Sequence, residues 1–195
     1  MPEMSVIISL LLAGILTDNY VLVNTTGICP FLGVSKKFQQ AMGMSLAVIF
    51  VILCATAVTW PIYTYLLVKF NLTYLQTIVF ILVIAALVQF VEIILKKFIP
   101  PLYKSLGVYL PLITTNCVVL GVANENIQEG RNFISSMIAS FGVGIGFLVA
   151  MLLFAGVRSR IENCPSPKPF KGIPITLVAA AIVALAFGGF ASIGG

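Results

Sequence analysis

FQQAMGMSLAVIFVILCATAVTWPIYTYLLV, residues 38–68, runs from Lys37 to Lys69 without one Asp, Glu, Lys or Arg. A helix needs about 20 apolar residues to cross a hydrocarbon core of about 30 Å at 1.5 Å per residue, and these 31 exceed that. Working outward, Lys69 to Glu92 encloses 22 uncharged residues, Lys104 to Glu125 encloses 20, Arg131 to Arg158 encloses 26, and 24 follow Lys171. Met4 to Ser35 is interrupted only by Asp18. The pattern predicts six spans centred near Ile15, Leu53, Leu82, Ile113, Gly144 and Ala184.

Composition agrees. Of 195 residues 60% are apolar and 9% charged, against roughly 25% charged in an ordinary soluble domain, which argues against a water-soluble enzyme. The net charge of +5 rests on only 17 charged residues, too sparse for a nucleic-acid-binding face. No His is present, so His-ligated haem, Rieske-type clusters and His-containing zinc sites are excluded. Four Cys without a CxxC pair indicate neither a zinc ribbon nor a disulfide scaffold. The N-terminus lacks a signal peptide's basic flank and small-residue cleavage site, so the first span is expected to be retained. The chain reads as a single all-α membrane domain, residues 1–195.

Basic residues set the orientation. Lys36, Lys37, Lys96, Lys97, Lys104, Arg158, Arg160, Lys168 and Lys171 collect on one side; Lys69 and Arg131 remain on the other, with Glu3, Glu125 and Glu129. Nine against two predicts cytoplasmic basic loops and both termini outward.

Cys29-Pro-Phe-Leu-Gly-Val34 and Cys117-Val-Val-Leu-Gly-Val122 share the pattern C-x-x-L-G-V, 88 residues apart. One copy falls in span one and the other in span four. Halves of three spans each, about 1–97 and 98–195, place the second copy upside down, an inverted repeat of the kind found in membrane transport proteins. Gly27, Pro30 and Gly33 surround Cys29, while Pro111 and Gly121 flank Cys117, so both spans are expected to be broken. Span one is also longer than the membrane is thick. Non-helical backbone at that depth is tolerated only where protein buries it or it lines a cavity, which directs both breaks toward a site. The plainer reading, that Gly and Pro merely kink the helices, stays open.

A thiolate at a helix break suits a soft metal. The amides of Leu32, Gly33 and Val34, and of Leu120, Gly121 and Val122, are expected to serve as N-terminal donors toward sulfur. A four-thiolate [2Fe–2S] cluster needs such donors in a low dielectric, and one chain offers two suitably placed Cys, so a second subunit would supply the other pair. Against this, a buried Cys is usually a small hydrophobe.

The stretch Gly27-Ile-Cys-Pro-Phe-Leu-Gly-Val-Ser-Lys-Lys37, with Ala41-Met-Gly-Met44 in register, resembles the first conserved segment of the RnfA family, the A-type component of Rnf complexes. Leu110-Pro-Leu-Ile-Thr-Thr-Asn-Cys-Val-Val-Leu-Gly-Val122 resembles the second. Leu82–Phe90 before Glu92, and Pro169–Gly172, extend the similarity over nearly the whole chain. The E-type component of the sodium-pumping NADH:quinone reductase is a close paralogue. The resemblance implies a subunit of a ferredoxin:NAD⁺ oxidoreductase that translocates Na⁺ or H⁺, in a bacterial or archaeal cytoplasmic membrane. It implies a homologous E-type partner in opposite orientation, together with the B, C, D and G components and membrane lipid. It also implies one [2Fe–2S] cluster shared with that partner, with Cys29 and Cys117 as this chain's ligands. A quinone-reductase subunit, or a transporter or channel subunit with no redox centre, is the alternative.

Other candidates read more plainly. Cys54 lies mid-span without a break and reads as packing; Cys164, in the loop carrying Pro165, Pro167 and Pro169, reads as incidental. Asp18 is an ion-path candidate beside Asn19, a candidate cation solvator, whereas Glu92 reads as an ion pair with Lys96. Asn116 reads either as a donor to sulfur or as a helix cap. Gly142, Gly144 and Gly146, and Gly188 with Gly189, read as close-packing surfaces. Trp60 and Tyr63 read as an interface belt. Straight helix counting leaves Cys29 nearer the cytoplasmic end than Cys117, so a shared site requires span one to be unwound or displaced.

Overall fold

The computed structural model describes residues 4–35, 38–70, 73–98, 116–161 and 172–191. Among them all regular structure is helical: α1 (Met4–Leu12), α2 (Ile28–Val34), α3 (Phe38–Ile62), α4 (Gln76–Phe98), α5 (Cys117–Gln128), α6 (Phe133–Ile161) and α7 (Ile173–Ala191). A π-helical turn, Ala13–Thr17, extends α1, and another, Tyr63–Leu67, extends α3. The second follows Pro61, whose missing N–H and ring break the regular ladder and favour the wider turn.

Three of the six expected spans are helices long and apolar enough to cross a membrane: Phe38–Leu67, Thr73–Ile94 and Phe133–Ile161. The sixth is a shorter apolar helix, and the centre expected for the fourth, Ile113, lies outside the described residues. The first is not one helix. It stops at Thr17, passes through non-helical residues 18–27, and resumes at Ile28.

Helix α6 is the central post. Of its best apolar window 56% is buried, against 17% for α4, which turns Ile78, Ile81, Leu82, Phe90 and Ile93 outward. A helix apolar all round and that exposed suits lipid. Phe147, Met151 and Phe154 of α6 pack with Met44, Val48 and Ile52 of α3 in the core.

The alternate glycines of α6 explain how its neighbours come so near, Gly142 and Gly146 admitting α1 with its π-helical extension and Gly144 admitting α3. A Cβ on Gly142 would stand 3.3 Å from Leu11 Cα, one on Gly144 3.0 Å from Ile49 Cγ1, and one on Gly146 would collide with the Gly14 carbonyl oxygen. Gly14 answers in kind, since its own Cβ would lie 2.9 Å from Val143 N. Small residues on both sides let backbones touch where side chains would hold them apart. At Gly188 and Gly189, by contrast, an added Cβ meets nothing among the described residues, so their expected packing role within the chain is not realised there.

Gly146→Ala is therefore expected to destabilise the protein by about 1–3 kcal/mol through overpacking against backbone. Gly156→Ala, whose Cβ would enter open space, should be neutral or slightly stabilising. Thermal unfolding of the detergent-purified protein compares them; equal stability of the two variants would refute the close approach of α1.

Candidate functional site

The loop between Thr17 and Ile28 carries Asn19 as its second residue, fully buried. Its Nδ2 donates to the carbonyls of Ile15 (3.1 Å) and Gly146 (3.0 Å), and its Oδ1 accepts from the backbone N–H groups of Val21 (3.1 Å) and Leu22 (3.3 Å). Further turns close as Val23 N–H donates to Asn19 O and Thr26 N–H to Tyr20 O. The amide thus satisfies backbone that has left the helix and ties it to α6. It is not spare for a cation, contrary to the expectation from its place beside Asp18, because all four of its hydrogen bonds go to backbone.

The loop ends in strained geometry. Thr25 has φ 50° and Gly27 has φ 82°. Glycine accepts the left-handed region freely, whereas a β-branched Thr does so at a cost. Gly27 is the N-cap of α2, which places Cys29 and Pro30 in that helix's first turn. Pro30 therefore starts the helix rather than breaking it, since a first-turn N–H has no intrahelical partner to lose.

Helix α5 begins in the same way. Asn116, extended at ψ 113°, caps it by accepting from Val118 N–H at 3.1 Å, and Cys117 is the first helical residue. The residues before 116, including Pro111, Thr114 and Thr115, lie outside the described residues.

These two helix starts meet. The Gly27 N–H donates to Cys117 Sγ at 2.9 Å, across 90 residues of sequence. A Cβ on Gly27 would lie 2.5 Å from Val118 Cγ2 and 3.4 Å from Asn116 Oδ1. Reciprocally, a Cβ on Gly121 would lie 3.0 Å from Tyr20 Cε1. Gly27, two residues before the first C-x-x-L-G-V stretch, and Gly121, within the second, thus each leave room for a side chain from the other part of the chain. The chain is non-helical over residues 18–27, as a shared site requires of span one, and the helix start that carries Cys29 lies against Cys117.

Both thiols are exposed at the surface of the chain. Among the described residues no three His, Cys, Asp or Glu side chains gather as a metal site. The donors toward sulfur differ from those expected. Leu32, Gly33, Val34, Leu120, Gly121 and Val122 sit past the first four N–H positions, where the helical ladder uses their amides. The helices start at the cysteines rather than three residues after them, and the donor observed comes from the opposite half.

Helix α6 also supports α2. Phe31 stacks on Phe154 with ring centroids 4.1 Å apart. Arg158, only 7% exposed, donates to Leu32 O (2.5 Å) and Ser35 Oγ (2.7 Å). A cation at the last carbonyls of α2 opposes the negative end of its dipole. Charge counting assigns Arg158 to a cytoplasmic loop; it lies instead in the last turn of α6, buried against α2.

At the other end of α6 a second polar cluster joins three helices. Thr56 of α3 shares a 2.7 Å hydrogen bond with Ser140 of α6, and Asn126 of α5 donates to that same Ser140. Arg131 bonds Asn126 Oδ1, pairs with Glu125 and Glu129, and through its carbonyl receives Trp60 Nε1 at 3.0 Å. Trp60 is thus a tertiary latch between α3 and the start of α6. Asp18 is exposed and lines a small cleft with Glu125, Glu129 and Arg131. Cys54 is half-buried mid-helix in α3, Glu92 is half-buried on α4, and Cys164 lies outside the described residues. Asn126, Ser140 and Thr56 carry no motif; only polar residues inside apolar spans would have pointed to them.

The class is now defined: an all-helical membrane protein with an interrupted first span and two thiols at two touching helix starts. The profile described as "Rnf-Nqr subunit, membrane protein" matches residues 7–194, and the chain belongs to that family. It is 52% identical over 184 residues to the A-type component of an ion-translocating oxidoreductase complex from Syntrophotalea carbinolica, covering 94% of this chain and 95% of that one. It is equally similar, 52% over 184 residues, to the A-type component of the Na⁺-translocating ferredoxin:NAD⁺ oxidoreductase complex from Acetobacterium woodii, covering 94% and 96%. The corresponding component of an ion-translocating oxidoreductase complex from Escherichia coli (strain K12 / DH10B) is 48% identical over 184 residues, covering 94% and 95%.

Gly27→Ala is expected to part the two helix starts, since the φ and the Val118 contact both oppose a Cβ. Reaction of Cys117 with a water-soluble maleimide should change at least severalfold relative to Gly43→Ala, whose added Cβ meets nothing among the described residues. Identical rates would contradict the contact. Arg158→Met should cost about 1.5–3 kcal/mol for each charged hydrogen bond lost, read as lowered thermal stability; stability equal to wild type would remove Arg158 as the anchor of α2.

Proposed function

We propose that this chain is the A-type membrane component of an ion-translocating ferredoxin:NAD⁺ oxidoreductase, and that Cys29 and Cys117 are two of four ligands to a [2Fe–2S] cluster shared with a homologous subunit. The observation that carries the reading is the Gly27 N–H to Cys117 Sγ contact, which places the Cys29 helix start against the other cysteine. The donor set fits: two surface thiols, helix starts that favour negative charge, and an N–H already directed at sulfur. Half a ligand set at the chain's surface suits completion by a second chain with its own pair.

When bound, such a cluster supplies a one-electron carrier within the membrane. The remaining work belongs to this chain. Gly27 and the two helix starts offset negative charge at sulfur, where low dielectric would otherwise disfavour it. Asn19 and α6 hold the interrupted span so that Cys29 stays at its position, and Arg158 fixes the far end of its helix. The family relationship supports two inverted three-helix halves, outward termini, an oppositely oriented E-type partner and further B, C, D and G components. Ion movement is coupled to electron passage by the whole complex.

In purified complex, Cys29→Ser and Cys117→Ser should each lower the membrane cluster's EPR signal and the electron-transfer rate at least tenfold, while Cys54→Ser retains both. Wild-type iron content and signal in both ligand variants would exclude the cluster assignment. Ion transport surviving both substitutions would favour a transporter without a redox centre.

A further inference from the structure

Asn116 has more hydrogen-bonding capacity than capping uses. Its side chain is buried, 5% exposed, and its Oδ1 is committed to Val118 N–H. That contact also fixes the amide's orientation, because turning it over would set an N–H against an N–H. Its Nδ2 has no hydrogen-bond partner among the described residues. A buried donor left unpaired is unfavourable; Asp would cap the helix equally well without one, and Ser or Thr would bring only a single O–H. The NH₂ group is what Asn alone adds here.

Its neighbourhood indicates what that group meets. Asn116 precedes Cys117, and its Oδ1 lies 3.4 Å from the point where Gly27 would carry a Cβ. Gly27 in turn donates to the Cys117 sulfur. Asn116, Gly27 and Cys117 form one knot in which one donor already serves sulfur and a second, buried, has nothing to serve. Sulfur bound to iron accepts several hydrogen bonds, and each donor favours the reduced, more negative cluster.

We infer that Asn116 is a positioning residue with two functions: its Oδ1 starts α5 at Cys117, and its Nδ2 donates to a sulfur of the cluster, raising its reduction potential. This rests on the cluster reading above, and it adds a potential-setting residue that is not itself a ligand.

The test uses the intact purified complex, with iron content and an EPR-monitored redox titration as readouts. Asn116→Ser keeps a capping oxygen and removes the amide donors; Asn116→Asp keeps the cap and replaces the donor with an acceptor. The inference expects iron retained in the Ser variant and its midpoint lowered. The expected size is about tenfold in the reduction equilibrium, or about 59 mV for one electron. The Asp variant should fall at least as far. Retained iron with an unchanged or higher midpoint in Asn116→Ser overturns the inference. So does loss of iron from both variants, which would make the residue structural only. Wild-type complex without an iron–sulfur signal would instead defeat the underlying cluster reading.

Discussion

Backbone that leaves a helix within a packed interior must find its hydrogen bonds inside the protein, because a buried N–H or C=O left unpaired is costly. Residues 18–27 meet this demand chiefly through one side chain. Asn19 accepts from two amides of the loop and donates to two carbonyls, one on the helix just ended and one on α6. Everything downstream depends on that solution: the loop can return the chain to helix at Gly27, and Cys29 can occupy the first turn of a short helix. A carboxylate at the same position would supply the acceptors but not the two donors, and would carry charge into a buried site.

Helix α6 converts that local solution into a tertiary one. Its glycines admit α1, Phe147 lies beneath Gly27, Phe154 stacks on Phe31, and Arg158 holds the end of α2. A seven-residue helix has little stability of its own, since nucleation costs more than so few hydrogen bonds return. Its existence is a property of the platform. The same applies to the meeting of the two halves, where Gly27 makes room for Val118 and Gly121 makes room for Tyr20.

The electrostatics of the thiols follow from where the helices start. With Cys117 as the first residue of α5, the unpaired amides of its first turn lie at the cysteine, and Asn116 takes one of them. The donor nearest its sulfur is the N-cap amide of the other half. The first half therefore conditions the second half's cysteine. A single half could place a thiol at a helix start, but it would leave that sulfur without this donor.

Much of this is legible in the sequence. Charge-free runs disclose helices that cross the membrane because burying an ion in hydrocarbon is prohibitive, and Phe38–Leu67, Thr73–Ile94 and Phe133–Ile161 appear where those runs lie. The paired C-x-x-L-G-V stretches mark the two helix starts, and the alternate glycines of 142–146 mark a close approach, since both are local chemical requirements. Periodicity is silent about partners. That Asn19 bonds backbone rather than a cation, that Arg158 turns inward to α2, and that Thr56, Ser140 and Asn126 form one cluster depend on which helices become neighbours. The first-turn register of Cys29 and Cys117 escapes sequence reading for the same reason: a helix begins where its cap and its tertiary contacts allow, and only the folded chain brings Gly27 to Cys117.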